Sequence, residues 1–534
     1  MALSLRRTRK TCFHPPAVDA GAQGEEDIPW VLLEQLAYIA DRRNDTTAYA
    51  HSRSGERLQV TFVAARPPRV SYICVFCPDA AAAGNQEDAI PSDPEVIASH
   101  DNLVLLRILV GPVGFCSRPD LYVYRPAPAD EEGEGPSLTL LPQSPDIDFR
   151  AAQVGILNCS TGRRDGHALL TLRAHRARED QRYMVAALYD DPDDLGRGNF
   201  LLYLYNSKLE TWTKTIVSLD LQPLQDLVNN GLFLHVNHRV LGVGGDGGTM
   251  AFVDLWRGII LCDVLRVQTS PTLRFVRLPH APTDPTTRYE YDALCSRDLV
   301  VVQHGAGGCY FRFARHLLKW TPCKYYDDHY IKDGWESDTW CLPVSATSRL
   351  EEDAWTPQCS MDTSKMHIHN KDARLLPKLK DRGGNPLPPF MMLESAQPRP
   401  SLVDEDDTVC FMVKVKISDR EAWVVAVDMK ENRLQAVAKF NTHGYVGNAY
   451  MPSTISKYLN KAPGAGAKGN PRRSGRKVKP GNERPKRPGW MLTGSSSKKM
   501  AGTVISWGGE QMQQDVEMKG TGVGAEVEDN MMLE

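Results

Sequence analysis

The chain has 534 residues, 42% hydrophobic and 24% charged, a globular composition with apolar material for a large core and length for two to four domains. No run approaches the roughly 20 consecutive apolar residues that a membrane-spanning helix requires, which excludes such a span. The net charge of −3 is unevenly spread: residues 461–499 carry twelve Lys/Arg against Glu483 alone, residues 500–534 carry seven Asp/Glu against Lys519, and the first 460 residues are left at −8.

The N-terminus, MALSLRRTRK, is basic but lacks the apolar core of a secretory signal, so residues 1–24 are expected to be disordered. Residues 25–45 open with acidic residues and Pro29, then run apolar at helical spacing, which predicts an opening helix or mixed element. From about residue 56 the pattern changes to short β-rich runs punctuated by Gly, Pro, Asp and Asn, the signature of an all-β domain with minor helix. Twelve cysteines are few for this length, and Cys74, Cys262 and Cys410 sit inside apolar runs, where a reduced thiol behaves as a small hydrophobe. Cytoplasm or nucleus is the expected compartment.

A triplet of runs recurs along the chain. YMVAALYDD (183–191), FLLYLYN (200–206) and LETWTKTIV (209–217) form one copy; RVLGVGGDGG, TMAFVDL and GIILCDVL (239–265) a second. LVVVQHGAGG, CYFRFAR and LLKWTPCKYY (299–326) make a third, VCFMVKV, AWVVAVDM and NRLQAVAKF (409–440) a fourth, and LVLLRILV, LYVYRP and SLTLLP (103–142) an earlier, looser one. The middle strands begin near 121, 200, 249, 309 and 422, and the last, doubled interval leaves room for a diverged copy between Trp335 and Glu394. Runs such as FLLYLYN are apolar at nearly every position, so both strand faces must be buried, as in stacked blades and unlike a two-layer sandwich. The expected fold over residues 25–460 is a β-propeller-like repeat of about five or six antiparallel blades. Polar insertions at 80–92, 126–136 and 372–389 read as surface loops.

Beyond residue 460 the chain is Gly, Pro, Lys, Arg and Ser, a composition that cannot offset the entropy of ordering, and a disordered tail is expected, basic over 461–499 and acidic over 500–534. Its two basic clusters, Arg472, Arg473, Arg476, Lys477 and Lys479, then Arg484, Lys486 and Arg487, have the spacing of a nuclear import signal and equally suit salt-dependent contact with nucleic acid or acidic partners.

Motifs of chemistry are thin. Cys74 and Cys77 lie on a strand-like run, where residues three apart face opposite ways, and no second pair completes a zinc site. His367 with His369, Asp327-Asp328-His329, and His235 with His238 read as loop or strand-edge residues rather than ligands. The glycines of GVGGDGG (242–248) are followed by a strand, not the helix a nucleotide fingerprint needs, and read as a wide hairpin turn. His304 and Cys309 are brought near each other by adjacent strands alone, and the runs Asp190-Asp191, Asp193-Asp194 and Asp404 to Asp407 read as turns. No catalytic residue, cofactor or metal is assigned.

The segments PWVLLEQLAYIADRRNDTTA (29–48), MAFVDLWRGIILCDVL (250–265) and MPSTISKYLN (451–460) resemble a large plant family, expanded in grasses, known as domain of unknown function 1618. Its central motif here is Asp254-Leu255-Trp256-Arg257-Gly258, in which Asp254 and Gly258 are expected to shape a turn and Trp256 to cover a blade edge. The resemblance implies a plant protein and a distant link to β-rich domains that accompany F-boxes, but no activity; the first 28 residues do not look like an F-box. The resulting expectation is a monomeric, non-enzymatic scaffold that binds a protein partner, with no membrane contact. The alternatives are an enzyme working at the central face and a nucleic-acid-associated protein acting through its basic tail.

Overall fold

The computed structural model describes residues 15–16 and 28–459, apart from 85–88, 112–117, 127–134, 145–148, 160–181, 221–229, 282–291, 306–307, 323–329, 347–353, 369–370, 381–383, 385–388 and 443–448. The chain divides into two compact units, Met1–Ala467 and Lys468–Glu534, and the whole second unit, with the expected tail, lies outside the described residues, as do residues 1–14 and 17–27.

Within the first unit, sheet 1 contains β1 (Val31–Glu34), β2 (Tyr38–Ile39), β3 (Ala48–His51), β4 (Arg57–Val63) and β5 (Val70–Phe76), and is followed by the short helix α1 (Pro78–Ala82). Sheet 2 is β6 (Glu95–His100), β7 (Leu103–Ile108), β8 (Asp120–Arg125) and β9 (Ser137–Leu140); sheet 3 is β10 (Val154–Asn158), β11 (Tyr183–Asp190), β12 (Asn199–Asn206) and β13 (Thr211–Leu219). Sheet 4 is β14 (Arg239–Gly244), β15 (Thr249–Asp254), β16 (Gly258–Asp263) and β17 (Thr272–Arg277); sheet 5 is β18 (Arg297–His304), β19 (Gly308–Pro322), β20 (Tyr330–Pro343) and β21 (Thr356–Asp362). After helix α2 (Pro389–Met392), sheet 6 is β22 (Glu394–Pro400), β23 (Thr408–Lys414), β24 (Glu421–Asp428) and β25 (Arg433–Asn441). The last strand, β26 (Tyr450–Ser453), returns to sheet 1 and pairs antiparallel with β1, from Val31↔Ser453 to Glu34↔Tyr450.

The sheets close into a ring. First strands β6, β10, β14, β18 and β22 lie against one another in turn, β22 against β26, and the bridge Leu36↔Glu95 joins the end of β1 to β6. One apolar layer fills each junction: Leu58, Phe62 and Tyr124 between sheets 1 and 2, Leu105, Val185 and Tyr203 between 2 and 3, Leu202, Phe252 and Leu273 between 3 and 4. The series continues with Val253, Phe311 and Trp340 between 4 and 5, Trp335, Phe411 and Val425 between 5 and 6, and Leu32, Met412 and Tyr450 between 6 and 1. Layers that return to their start define a propeller and exclude a sandwich, which has one interior.

The burial explains the strand compositions. Every residue of β23 is buried, as are the first six of β11, because each sheet is covered on both faces, whereas outer strand β13 is mostly exposed along its length. Sheets 3 and 4 are joined further: β13 and β17 pair in parallel at Ser218↔Thr272 and Leu219↔Leu273, and with β10 against β14 they form a nearly closed eight-stranded barrel. Among the described residues no helix is long and apolar enough to cross a membrane.

Three local expectations are corrected. Residues 31–34 and 38–39 are strands, not an opening helix, because β1 is captured by partners from both ends of the chain, β5 and β26. No extra blade lies between Trp335 and Glu394: β19 and β20 run for 15 and 14 residues, so the run expected as a third strand at 317–326 contains the end of β19, and β20 and β21 complete sheet 5. The sixth blade is instead sheet 1, assembled from the two ends of the unit.

Candidate functional site

In each of sheets 2 to 6 the first strand begins, and the second strand ends, on one side of the ring, called here the upper face. On it sheets 4, 5 and 6 bound an open cleft of about 640 Å³. Its walls come from the β15–β16 turn (Trp256), the approach to β18 (Asp292 to Arg297), the overlong end of β19 (Arg315 to Trp320), the start of β22 (Glu394 to Ala396) and the β23–β24 hairpin (Ile417). Leu317, Trp320 and Ile417 are exposed, at 38%, 55% and 53%.

The Asp254–Gly258 motif forms the turn in this wall. The fully buried Asp254 carboxylate accepts from Val236 N and Trp256 N, both at 2.9 Å, and pairs with Arg257 Nη1 at 3.0 Å. Trp256 is buried beneath the Arg297 guanidinium, 4.5 Å from its ring, and Arg297 also donates to Leu255 O and His280 O at 3.2 Å. Gly258 lets two elements approach: a Cβ there would stand 2.3 Å from Phe275 Cζ and 2.6 Å from Val276 O. Gly258→Ala is therefore expected to lose about 1–3 kcal/mol through overpacking, seen as a lower melting temperature.

Behind the cleft lies a buried ionic triad. Asp298, fully buried, faces Arg239 Nε at 2.7 Å and Arg399 Nη1 at 3.3 Å, and Arg399 also donates to Leu294 O at 3.2 Å and Tyr450 O at 3.0 Å. Sheets 4, 5 and 6 and the closing strand are thus tied at the centre of the ring. Burial lowers the Arg239 guanidinium to about 10, despite the opposing pull of Asp298.

A serine and a histidine meet in the wall. His316 Nε2 lies 3.0 Å from Ser395 Oγ and 3.2 Å from Ser395 O, with the ring between Trp335 and Phe411 at 5.0 and 5.6 Å. A carbonyl oxygen only accepts, so Nε2 carries the hydrogen and cannot take a proton from Oγ. Nδ1 is buried with no hydrogen-bond partner among the described residues, and burial pushes the imidazole down to about 3. An activated serine needs a nitrogen free to accept and an acid that orients the base; among the described residues this pair has neither.

The other sequence candidates are scattered. Cys74 packs on Tyr38 and Tyr72 while Cys77 enters the layer between sheets 1 and 2, on the opposite side. His235 Nε2 sits 3.0 Å from Asn237 Oδ1, with the ring held by burial at about 4, and His238 Nδ1 accepts from Leu255 N at 3.2 Å. GVGGDGG is the β14–β15 hairpin, with Gly244, Gly245 and Gly248 at positive φ. On the lower face His304 Nδ1 lies 2.5 Å from Asp404 Oδ2, and Cys309 lies one step along β19. Asp191 accepts from Asp193 N at 3.1 Å, and Asp406 from Ser401 Oγ at 2.6 Å, so both acidic runs serve their turns. His367 pairs through its backbone with β25; His369, Asp327, Asp328, His329 and the basic residues from Arg472 to Arg487 lie outside the described residues. Sequence reading missed the triad, the Ser395–His316 contact and the exposed apolar trio. Only the apolar run through Leu317, Leu318 and Trp320, continuing past the length of a blade strand, signals the last.

Fold and face together define a six-bladed β-propeller with an open cleft on one side. Residues 252–410, from β15 into β23, match the family described as Protein of unknown function (DUF1618), and this segment contains most of the cleft wall. The resembling segments at 29–48 and 451–460 fall outside the match. No curated protein matches the chain. Similar solved structures include a puromycin-hydrolyzing peptidase of Mycobacterium tuberculosis, at 10% identity and TM-score 0.22, covering 48% of this chain and 30% of that one. Another is the hemagglutinin-neuraminidase ectodomain of parainfluenza virus 5, at 8% identity and TM-score 0.28, covering 78% and 77%. A third is MPT-1, a GDP-Man-dependent mannosyltransferase from Leishmania mexicana, at 8% and 0.19, covering 64% and 81%. Likenesses this loose carry no argument about activity.

Proposed function

We propose that the chain is a non-enzymatic interaction scaffold whose protein partner docks on the upper face over sheets 4 to 6. The observation that supports this reading is the grouping of Leu317, Trp320 and Ile417 in the cleft, large apolar side chains left open to water together. Arg315 is paired with Asp338 at 2.8 Å and Glu394 with Lys332 at 3.0 Å, so these wall charges are spent inside the wall. The enzymatic alternative would rest on Ser395 and His316, whose hydrogen bonding runs the wrong way for a nucleophile. The tail, through Arg472 to Lys479 and Arg484 to Arg487, would direct nuclear import or add salt-dependent affinity for nucleic acid or an acidic partner.

Proximity labelling in plant cells tests the reading. The double variant Trp320→Asp, Ile417→Asp alters exposed positions, so folding is expected to survive, and its strongest labelled neighbours are expected to disappear. An unchanged set of neighbours would overturn docking on this face. The same experiment without residues 461–534 separates the tail's share, which is expected to change location and leave the cleft-dependent neighbours in place.

A further inference from the structure

We infer that the free edge of β19 is a strand-addition site, where an extended segment of the partner pairs its backbone with Leu318–Pro322 and lays apolar side chains in the cleft. This rests on the upper face being the docking surface and names the chemistry of what docks. The neighbouring strand β18 begins at Arg297, opposite Arg315, whereas β19 continues to Pro322 with β20 as its partner on the other side.

The direction of the unpaired groups follows from the strand repeat. His316 N donates to Ser296 O at 2.7 Å, so the main-chain groups of residue 316 face the side where β18 stops. Alternation sends the N–H and C=O of Leu318 and Trp320 the same way. The register shift in this hairpin is an extra residue in β20, where Gly334 has φ +107°, so the repeat of β19 is uninterrupted. Among the described residues no group bonds to the main chain of Leu318 or Trp320 on that edge.

The cleft runs along this edge. A cleft lying over a sheet face would touch alternate residues, yet Arg315, His316, Leu317 and Leu318 all line it in succession. Two other edges are covered: β13 and β17 pair with each other, and β25 receives the backbone of His367 through Leu434 N, at 3.1 Å from His367 O. An open row of donors and acceptors beside exposed Leu317, Trp320 and Ile417 is complementary to an extended peptide with apolar side chains.

Hydrogen exchange of the full chain gives the first test: the amides of Leu318 and Trp320 are expected to exchange fast while that of Leu317, directed at β20, is protected. Protection of both edge amides would show the edge already filled and overturn the inference. For binding, the probe is a phage-displayed library of linear ten-residue peptides selected on the full chain. Trp320→Pro removes the edge N–H without breaking a bond to β20, and Trp320→Thr removes the indole alone. Selected peptides are expected to alternate apolar residues, to weaken on Trp320→Thr through loss of the indole, and to weaken at least about tenfold further on Trp320→Pro. Equal loss on both variants keeps the face as a binding surface and overturns strand addition; equal binding to all three proteins overturns both readings. A selection that enriches no peptide overturns strand addition.

Discussion

Replacing Asp298 by Ala is expected to remove about 3–5 kcal/mol of stability, a large part of what holds a folded domain together. The carboxylate is fully buried between Arg239 and Arg399, at 2.7 and 3.3 Å, and its loss leaves two guanidinium groups in the interior without their counter-ion. The effect should spread beyond one strand, since the same Arg399 holds Leu294 O and Tyr450 O, and through the latter the closing strand. Equilibrium unfolding in urea measures it as a lower midpoint. Asp298→Asn, which keeps an acceptor but no charge, is expected to fall between the variant and the parent. A change below about 1 kcal/mol for Asp298→Ala would show that water reaches the triad.

Tyr450→Ala is expected to cost about 3–5 kcal/mol, whereas Tyr450→Phe should change stability by less than about 1 kcal/mol in either direction. The ring is fully buried in the layer between sheets 6 and 1, edge-on to Phe440 at 5.7 Å, while its hydroxyl is buried with no hydrogen-bond partner among the described residues. Removing the ring opens a cavity at the seam where the ring of sheets closes; removing the oxygen removes a desolvated group that bonds none of the described residues. Because β26 joins β1 across the whole unit, the alanine variant should also broaden the thermal transition, as sheets 1 and 6 separate ahead of the rest. Circular dichroism melts of the two variants compare ring and hydroxyl directly.

Five of the six sheets are legible in the sequence because a strand buried on both faces must be apolar at nearly every position, as in FLLYLYN and AWVVAVD. The sixth is not, since its assembly from Val31–Glu34 and Tyr450–Ser453 depends on pairing between segments with no local signature. The same apolar residues near Trp30 satisfy helical spacing until a distant partner claims them. The upper face is less legible still. Arg239, Asp298 and Arg399 come from three sheets and are ordinary charges until the ring brings them together. The cleft's distinguishing feature, a strand that outruns its neighbour, lies in the relative lengths of β18 and β19, which a glycine and a turn in the sequence do not reveal. The Asp254–Gly258 motif, in contrast, declares its turn because Asp254 and Gly258 are residues that turns require.

Site-specific photo-crosslinking in cells tests most directly the claim that the chain works as a scaffold through one face of a closed propeller. A photoreactive phenylalanine analogue is placed at Trp320, in the upper cleft, and in a second protein at Lys208, in the β12–β13 hairpin on the lower face. Crosslinks to a distinct protein from position 320 and none from position 208 are the expected result. Crosslinks from position 208 alone would contradict it.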